Sequence, residues 1–223
     1  MGAYFTRDTI ASLKDLKKHN DRAWFAANKS RYDDHVREPS LRLIQDLAPE
    51  LKRISPHFLA TPRSLFRIHR DTRFSKDKSP YKTHLGLHFR HVRAKDAHAP
   101  GFYFHVEPGA AFVGAGIWHP DSDALNQIRE HIVEEPAAWK RASRAKSFTA
   151  TYTQEGDRLS RPPKGFDPDH PLIEDLKWKD YIGVAAVDDG FPLKADLIAR
   201  LARAFGAATP FMRFLCGALD VPF

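Results

Sequence analysis

Between Arg67 and His84 the chain reads RIHRDTRFSKDKSPYKTH, with six lysines and arginines against two aspartates. Arg67, Arg70 and Arg73 recur at three-residue spacing around Asp71, and Lys78, Tyr81 and Lys82 follow. A guanidinium fork donates two bonds to one oxyanion, so three arginines in one short segment suit a phosphate or carboxylate. Lys78 and Lys82 add ammonium donors and Tyr81 a hydroxyl. Pro80 keeps Ser79 extended and restricts the segment, which reduces the entropy lost on binding. On this reading Arg67, Arg70, Arg73, Lys78, Tyr81 and Lys82 hold an anionic ligand. Asp71 and a strand acid, Glu107, would orient donors or move protons. The competing reading is structural: Asp71 pairs with Arg67 or Arg73, Asp77 with Lys78 or Lys82, and such exposed pairs add little stability. Two acids cannot neutralise six cations, however, so the rest must meet solvent, an acid from elsewhere, or an anion.

Other chemistry-bearing residues point less clearly. Twelve histidines raise a metal question. His84 and His88 share a strand face, but four residues of strand separate them by about 13 Å, too far for one ion. His105 and Glu107, two residues apart, are better placed, and a third ligand would have to come from His69 or His84. No H-E-x-x-H or comparable signature supports this, so a polar sheet face with neither metal nor cofactor is expected. The small-residue run in GAGIWHP, Gly114 to Gly116, permits a close backbone approach. It lacks the spacing of a phosphate loop and reads as a bend or packed strand, with Trp118 and His119 just beyond it. There is no G-x-S-x-G nucleophile elbow. Cys216, the single cysteine, lies among apolar neighbours and reads as a packing residue.

The elements that must position these groups follow from periodicity. Phe5, Ile10, Leu13 and Leu16 recur at helical spacing behind a cap at Thr6 or Asp8. A second helix starts at Asn20 or Asp21, and Pro39 restarts a third through Leu41, Ile44, Leu47 and Leu51. At Ser64 the period changes to two. Strands are expected at Phe66–Ile68, THLGLHFRHV, GFYFHVEP and AAFVGAGIW, with Leu85, Leu87, Phe89, Phe102, Phe104 and Val106 turned inward. The opposite faces carry His84, Gly86, His88 and Arg90, then Tyr103, His105 and Glu107. Helices return after Asp121, a further buried strand is expected at DYIGVAAV, and two C-terminal helices close the chain. The fold class is α+β: a single domain over residues 1–223, with an antiparallel meander sheet packed against N- and C-terminal helices.

Composition bounds the function. Sixteen phenylalanines and four tryptophans belong to a folded core. The net charge of +7 is local: Arg63 to Lys95 holds ten Lys/Arg against two Asp, and the remaining 25 cations face 26 acids. A general basic coat is therefore excluded. The opening residues show no secretory signal, so a cytoplasmic protein without membrane contact is expected. Two partner classes remain: an anionic small molecule in a cleft, or nucleic acid along the basic segment, with Tyr81 or Phe74 available for stacking. A concave site favours the first, a flat basic stripe the second.

The pattern R-x-x-R-D-x-R-F followed by an acid–Lys pair and a Tyr falls on Arg67, Arg70, Asp71, Arg73, Phe74, Asp77, Lys78 and Tyr81. In this it resembles the mostly bacterial domain-of-unknown-function family 2461. The likeness extends to DRAWFAANKSRYDDHV, GFYFHVEP, GAGIW and RPPKGFDPDHP. The resemblance implies a shared motif and carries no assigned catalyst.

Overall fold

The computed structural model describes residues 2–93 and 99–223. Helix α1 (Arg7–Lys18) opens on a capping box, in which the Thr6 hydroxyl accepts from Asp8 N at 3.2 Å and Thr9 Oγ1 accepts from Thr6 N at 3.1 Å. Asp21 caps α2 (Arg22–Ala27) by accepting from Trp24 N at 2.9 Å. A short turn, α3 (Lys29–Tyr32), and a π-helical stretch (Asp33–Arg37) then run directly into α4 (Glu38–Ile54). Pro39 therefore does not restart a separate helix, as the sequence suggested. It lacks an amide hydrogen, and the helix widens just ahead of it instead of stopping. Ser40 Oγ donates to Val36 O at 2.5 Å across this stretch. Leu43, Ile44, Leu47 and Leu51 carry the apolar stripe of α4 into the core.

The sheet contains β1 (Leu85–Arg90), β2 (Gly101–Val106), β3 (Phe112–Ile117), β4 (Thr153–Glu155) and β5 (Tyr181–Ala186). Its order is β1-β2-β3-β5-β4, with every neighbouring pair antiparallel. The fold is thus α+β as expected, although only β1–β3 form a meander. After β3 the chain passes through α5 (Ser122–Glu134), α6 (Pro136–Ser143) and α7 (Lys146–Thr149), then lays down the outer strand β4. A turn, α8 (Ile173–Leu176), precedes β5, which inserts between β3 and β4.

The expected strand at Phe66–Ile68 is not a regular ladder. A 3-10 turn at Pro62–Ser64 leads into two isolated bridges, Leu65 to Leu87 and His69 to Tyr81. On either side of the second bridge, Lys82 N donates to Ile68 O at 2.8 Å and Arg70 N to Pro80 O at 2.9 Å. Pro80 has no N–H to return, so pairing breaks off there and the residues beyond form the loop.

Leu85, Leu87, Phe89, Phe102, Phe104 and Val106 face inward and are buried, as the alternation predicted. Phe205 of α9 (Leu197–Ala207) packs on Phe102 and Phe89 at centroid distances of 4.9 and 5.7 Å. Trp139 of α6 meets Phe211 and Phe214 of α10 (Thr209–Ala218) and stands edge-on to Tyr181. Cys216 is buried in the same core, where burial pushes its thiol up to about 12.

The opposite face of β1 and β2 is more polar. In the register Gly86 lies opposite His105, and His88 opposite Tyr103. A Cβ at Gly86 would lie 2.5 Å from Tyr103 Oη, so glycine there lets the tyrosine lie across β1. At Gly116, with φ +131°, a Cβ would fall 2.1 Å from Tyr181 O on the next strand. The small residues of GAGIW therefore serve close strand packing. No helix among the described residues is long and apolar enough to cross a membrane.

Candidate functional site

The loop from Asp71 to Ser79 is held at its base by side chains that reach backbone. Asn20 Nδ2 donates to Tyr81 O at 2.9 Å, and Tyr81 N donates back to Asn20 Oδ1 at 3.0 Å. This reciprocal pair lets one amide side chain act as a strand edge, docking the loop's return onto the α1–α2 turn. Tyr81 itself is only 6% exposed and stacks on Phe25 at 4.1 Å, in a satellite cluster with Leu16. It anchors the loop more than it presents a hydroxyl. Lys82 Nζ donates to Arg67 O at 2.7 Å and lies over the Phe66 ring. Burial, with the Arg67 charge added, holds the Lys82 ammonium below its ordinary range.

Two of the arginines are ion-paired. Arg73 grips Asp71, its Nη2 donating to Oδ2 at 2.6 Å and its Nε to Oδ1 at 3.0 Å. These bonds hold the Asp71 carboxyl down at about 2. Arg70 pairs with Asp77, whose carboxyl is held well below the usual range by bonds from Ser79 and then Arg70. Lys78 Nζ donates to Thr72 O at 2.9 Å. Arg67 is exposed, and Phe74, 95% exposed, projects beside Arg73.

Against this loop opens a cleft of about 690 Å³. One wall carries Asn20, Asp21 and Arg22; the other carries His69, Arg70 and Lys78, with Tyr81 between. Arg22, Arg70 and Lys78 give it three cations against Asp21, whose carboxylate is engaged as the α2 cap. Of the loop residues singled out in the sequence, Arg70, Lys78 and Tyr81 line the cleft, whereas Arg67, Asp71, Arg73 and Lys82 lie outside its lining, as does Glu107. Trp118 and His119 do not line it either. A second void, behind Ser12 and Leu16, is about 10 Å³ and holds at most a water.

A different cluster forms on the polar sheet face. His84, His105 and Glu107 bring their ligand-type atoms within 4.8 Å of one another. Glu107 Oε1 accepts from Lys17 Nζ at 3.2 Å, while Oε2 lies 3.4 Å from His105 Nε2. Burial opposes charge on Glu107, but Lys17 and His105 outweigh it and hold the carboxyl below its ordinary range. Tyr103 Oη is 3.2 Å from His105 Nδ1, and Phe112 stacks on the same ring at 4.6 Å. Burial lowers His105. It lowers His84 to about 4, with His105, Lys82 and Arg70 adding to the effect against Glu107. Of the two histidines that sequence spacing left open, His84 joins His105 and Glu107, whereas His69 lies tilted against Tyr81 at 5.2 Å.

The pH consequence has a definite sign. Between about 6.5 and about 4 the unfolded chain protonates His84 while the folded chain does not, so stability falls as pH drops through that window. Melting temperatures of the wild type and His84→Asn across this range should converge towards acid, because the variant lacks that loss. Parallel curves would show that His84 is not held neutral.

Residues 8–214 match the family described as "Conserved hypothetical protein (DUF2461)". The chain belongs to that family. No curated protein matches it. The R-x-x-R-D-x-R-F stretch of this DUF2461 member builds one wall of the cleft and the ion-paired loop above it. Sequence reasoning missed Asn20, Arg22 and Lys17 as site residues. Asn20 and Asp21 were legible only as caps, and nothing in their spacing shows that the α1–α2 turn faces the loop.

Proposed function

We propose that the cleft binds an anionic small molecule, phosphorylated or carboxylated, with Arg70, Lys78 and Arg22 as its direct donors. The observation that carries this reading is concavity combined with charge: Arg70 and Lys78 of the loop and Arg22 of α2 border an open cleft of ligand size instead of a flat stripe. Asp71 and Asp77, paired with Arg73 and Arg70, order the loop. Arg67, Arg73 and Lys82, outside the lining, add to the positive field that draws an anion in.

The test is calorimetry at low ionic strength with inorganic phosphate and citrate as probes, on the wild type and on Arg70→Ala. Charge-assisted hydrogen bonds are worth about 1.5–3 kcal/mol, so Arg70→Ala should weaken binding by about tenfold or more. Arg70 has an exposed partner, so the variant should keep its melting temperature. Unfolding of Arg70→Ala, or equal binding by both proteins, would return the loop to a structural role. The same proteins titrated with labelled DNA and RNA across a salt series separate the two partner classes. Duplex binding through phosphates falls with a slope of about 0.9 per neutralised phosphate. A cleft for one small anion should give only weak binding at physiological salt, no tighter than about micromolar. Nanomolar binding that persists there would make nucleic acid the ligand.

A further inference from the structure

We infer that His84, His105 and Glu107 form a binding site for one divalent transition-metal ion of the Zn(II) type. The site lies on the polar face of β1 and β2, outside the lining of the cleft, and the inference does not rest on anion binding there. Two imidazoles and a carboxylate are a borderline nitrogen–oxygen set that suits zinc and its neighbours better than magnesium or calcium. The 3.4 Å between His105 Nε2 and Glu107 Oε2 is the edge of a tetrahedron with bonds of about 2.1 Å. His84 precedes β1, just ahead of the Leu85–Val106 pair, and its ring centroid is 4.4 Å from that of His105. A side-chain rotation there closes the third bond without disturbing the ladder.

The surroundings hold the ligands in the required sense. With Nε2 on the metal, His105 Nδ1 carries the hydrogen and donates to Tyr103 Oη, 3.2 Å away, which fixes the ring and its tautomer. Phe112, stacked at an interplanar angle of 15°, blocks rotation from the other side. Gly86 makes the room that Tyr103 needs to reach this position. Lys17 occupies Glu107 Oε1 and leaves Oε2 for the ion. Three protein ligands leave at least one coordination position for water or an exogenous ligand. The charges of Lys17, Lys82 and Arg70 work against a dication, so the affinity expected is about micromolar, not nanomolar.

The experiment is Zn(II) calorimetry and Co(II) absorption spectroscopy on the metal-stripped, untagged full chain. One equivalent of Zn(II) should bind, and Co(II) should give d–d bands of a nitrogen–oxygen site. His84→Ala and Glu107→Gln alter half-buried side chains, so both should fold and lose binding by more than about tenfold. Tyr103→Phe keeps the ring but removes the hydrogen bond to His105 Nδ1. It should weaken Zn(II) by about tenfold at an unchanged melting temperature, a result that a merely structural His105–Glu107 pair would not produce. Lys17→Met should tighten binding by about threefold, the size of an exposed charge pair. Absence of binding at sub-millimolar Zn(II) overturns the proposal. So does equal binding by the wild type, His84→Ala and Glu107→Gln, which would place the ion on other histidines.

Discussion

Gly116→Ala is expected to cost the fold about 3–5 kcal/mol, through forced backbone strain and overpacking together. At φ +131° an L side chain is strained whatever the space around it, and here the space is also missing: the added Cβ would fall 2.1 Å from Tyr181 O and 2.8 Å from Ile182 Cα. Both atoms are backbone of the adjacent strand β5, so no rotamer change relieves the clash. The β3–β5 ladder, which joins the meander to the β5–β4 pair, would have to open at the Gly116–Ile182 pair. Since about 1 kcal/mol shifts the melting temperature of a chain this size by about 2–4 °C, a drop of about 6–20 °C should appear in calorimetry. A drop of only a degree or two would show that β3 and β5 do not approach this closely.

Asp180→Ala should be comparably severe. Asp180 is 1% exposed, and its carboxylate accepts from His119 N at 2.7 Å and from Asp157 N at 2.8 Å. It also lies 2.8 Å from His119 Nδ1. It thus ties the chain leaving β3 to the turn after β4, and holds His119 at a positive φ of 48°. Alanine removes every acceptor at once and leaves two backbone donors without partners, a loss of about 3–5 kcal/mol. Asp180→Asn keeps one acceptor oxygen and should lose clearly less in urea unfolding. If both variants unfold at the wild-type midpoint, water replaces the carboxylate and the tie is not structural. Both substitutions lie away from the cleft lining, so partly destabilised protein should still show the ligand behaviour of Arg70 and His84 where it remains folded.

The two candidate sites differ in how legible they were. The anion-facing loop stood out because charge imbalance is a property of composition. Six cations against two acids in a turn-rich stretch need no partner element to be recognised. Which cations are engaged was not legible. Arg73 takes Asp71 and Arg70 takes Asp77, and sequence separation alone allowed other pairings equally well. Nor could it show that Arg22 and Asn20 meet Arg70 across a cleft, because that contact depends on how the α1–α2 turn docks against the loop.

Periodicity by itself determined the α+β class, the inward set from Leu85 to Val106 and the polar set of Tyr103, His105 and Glu107, because side-chain direction along a strand alternates whatever the strand pairs with. It also placed the helices before and after the sheet. Only tertiary structure decided that β5 inserts beside β3, that Phe66–Ile68 forms bridges instead of a ladder, and that Pro39 widens a helix without ending it. These outcomes depend on which partner supplies or withholds a hydrogen bond. The same holds for the histidine cluster. His84 and His105 are far apart in sequence, and antiparallel register, set by the pairing of Leu85 with Val106, is what brings them to one point beside Glu107.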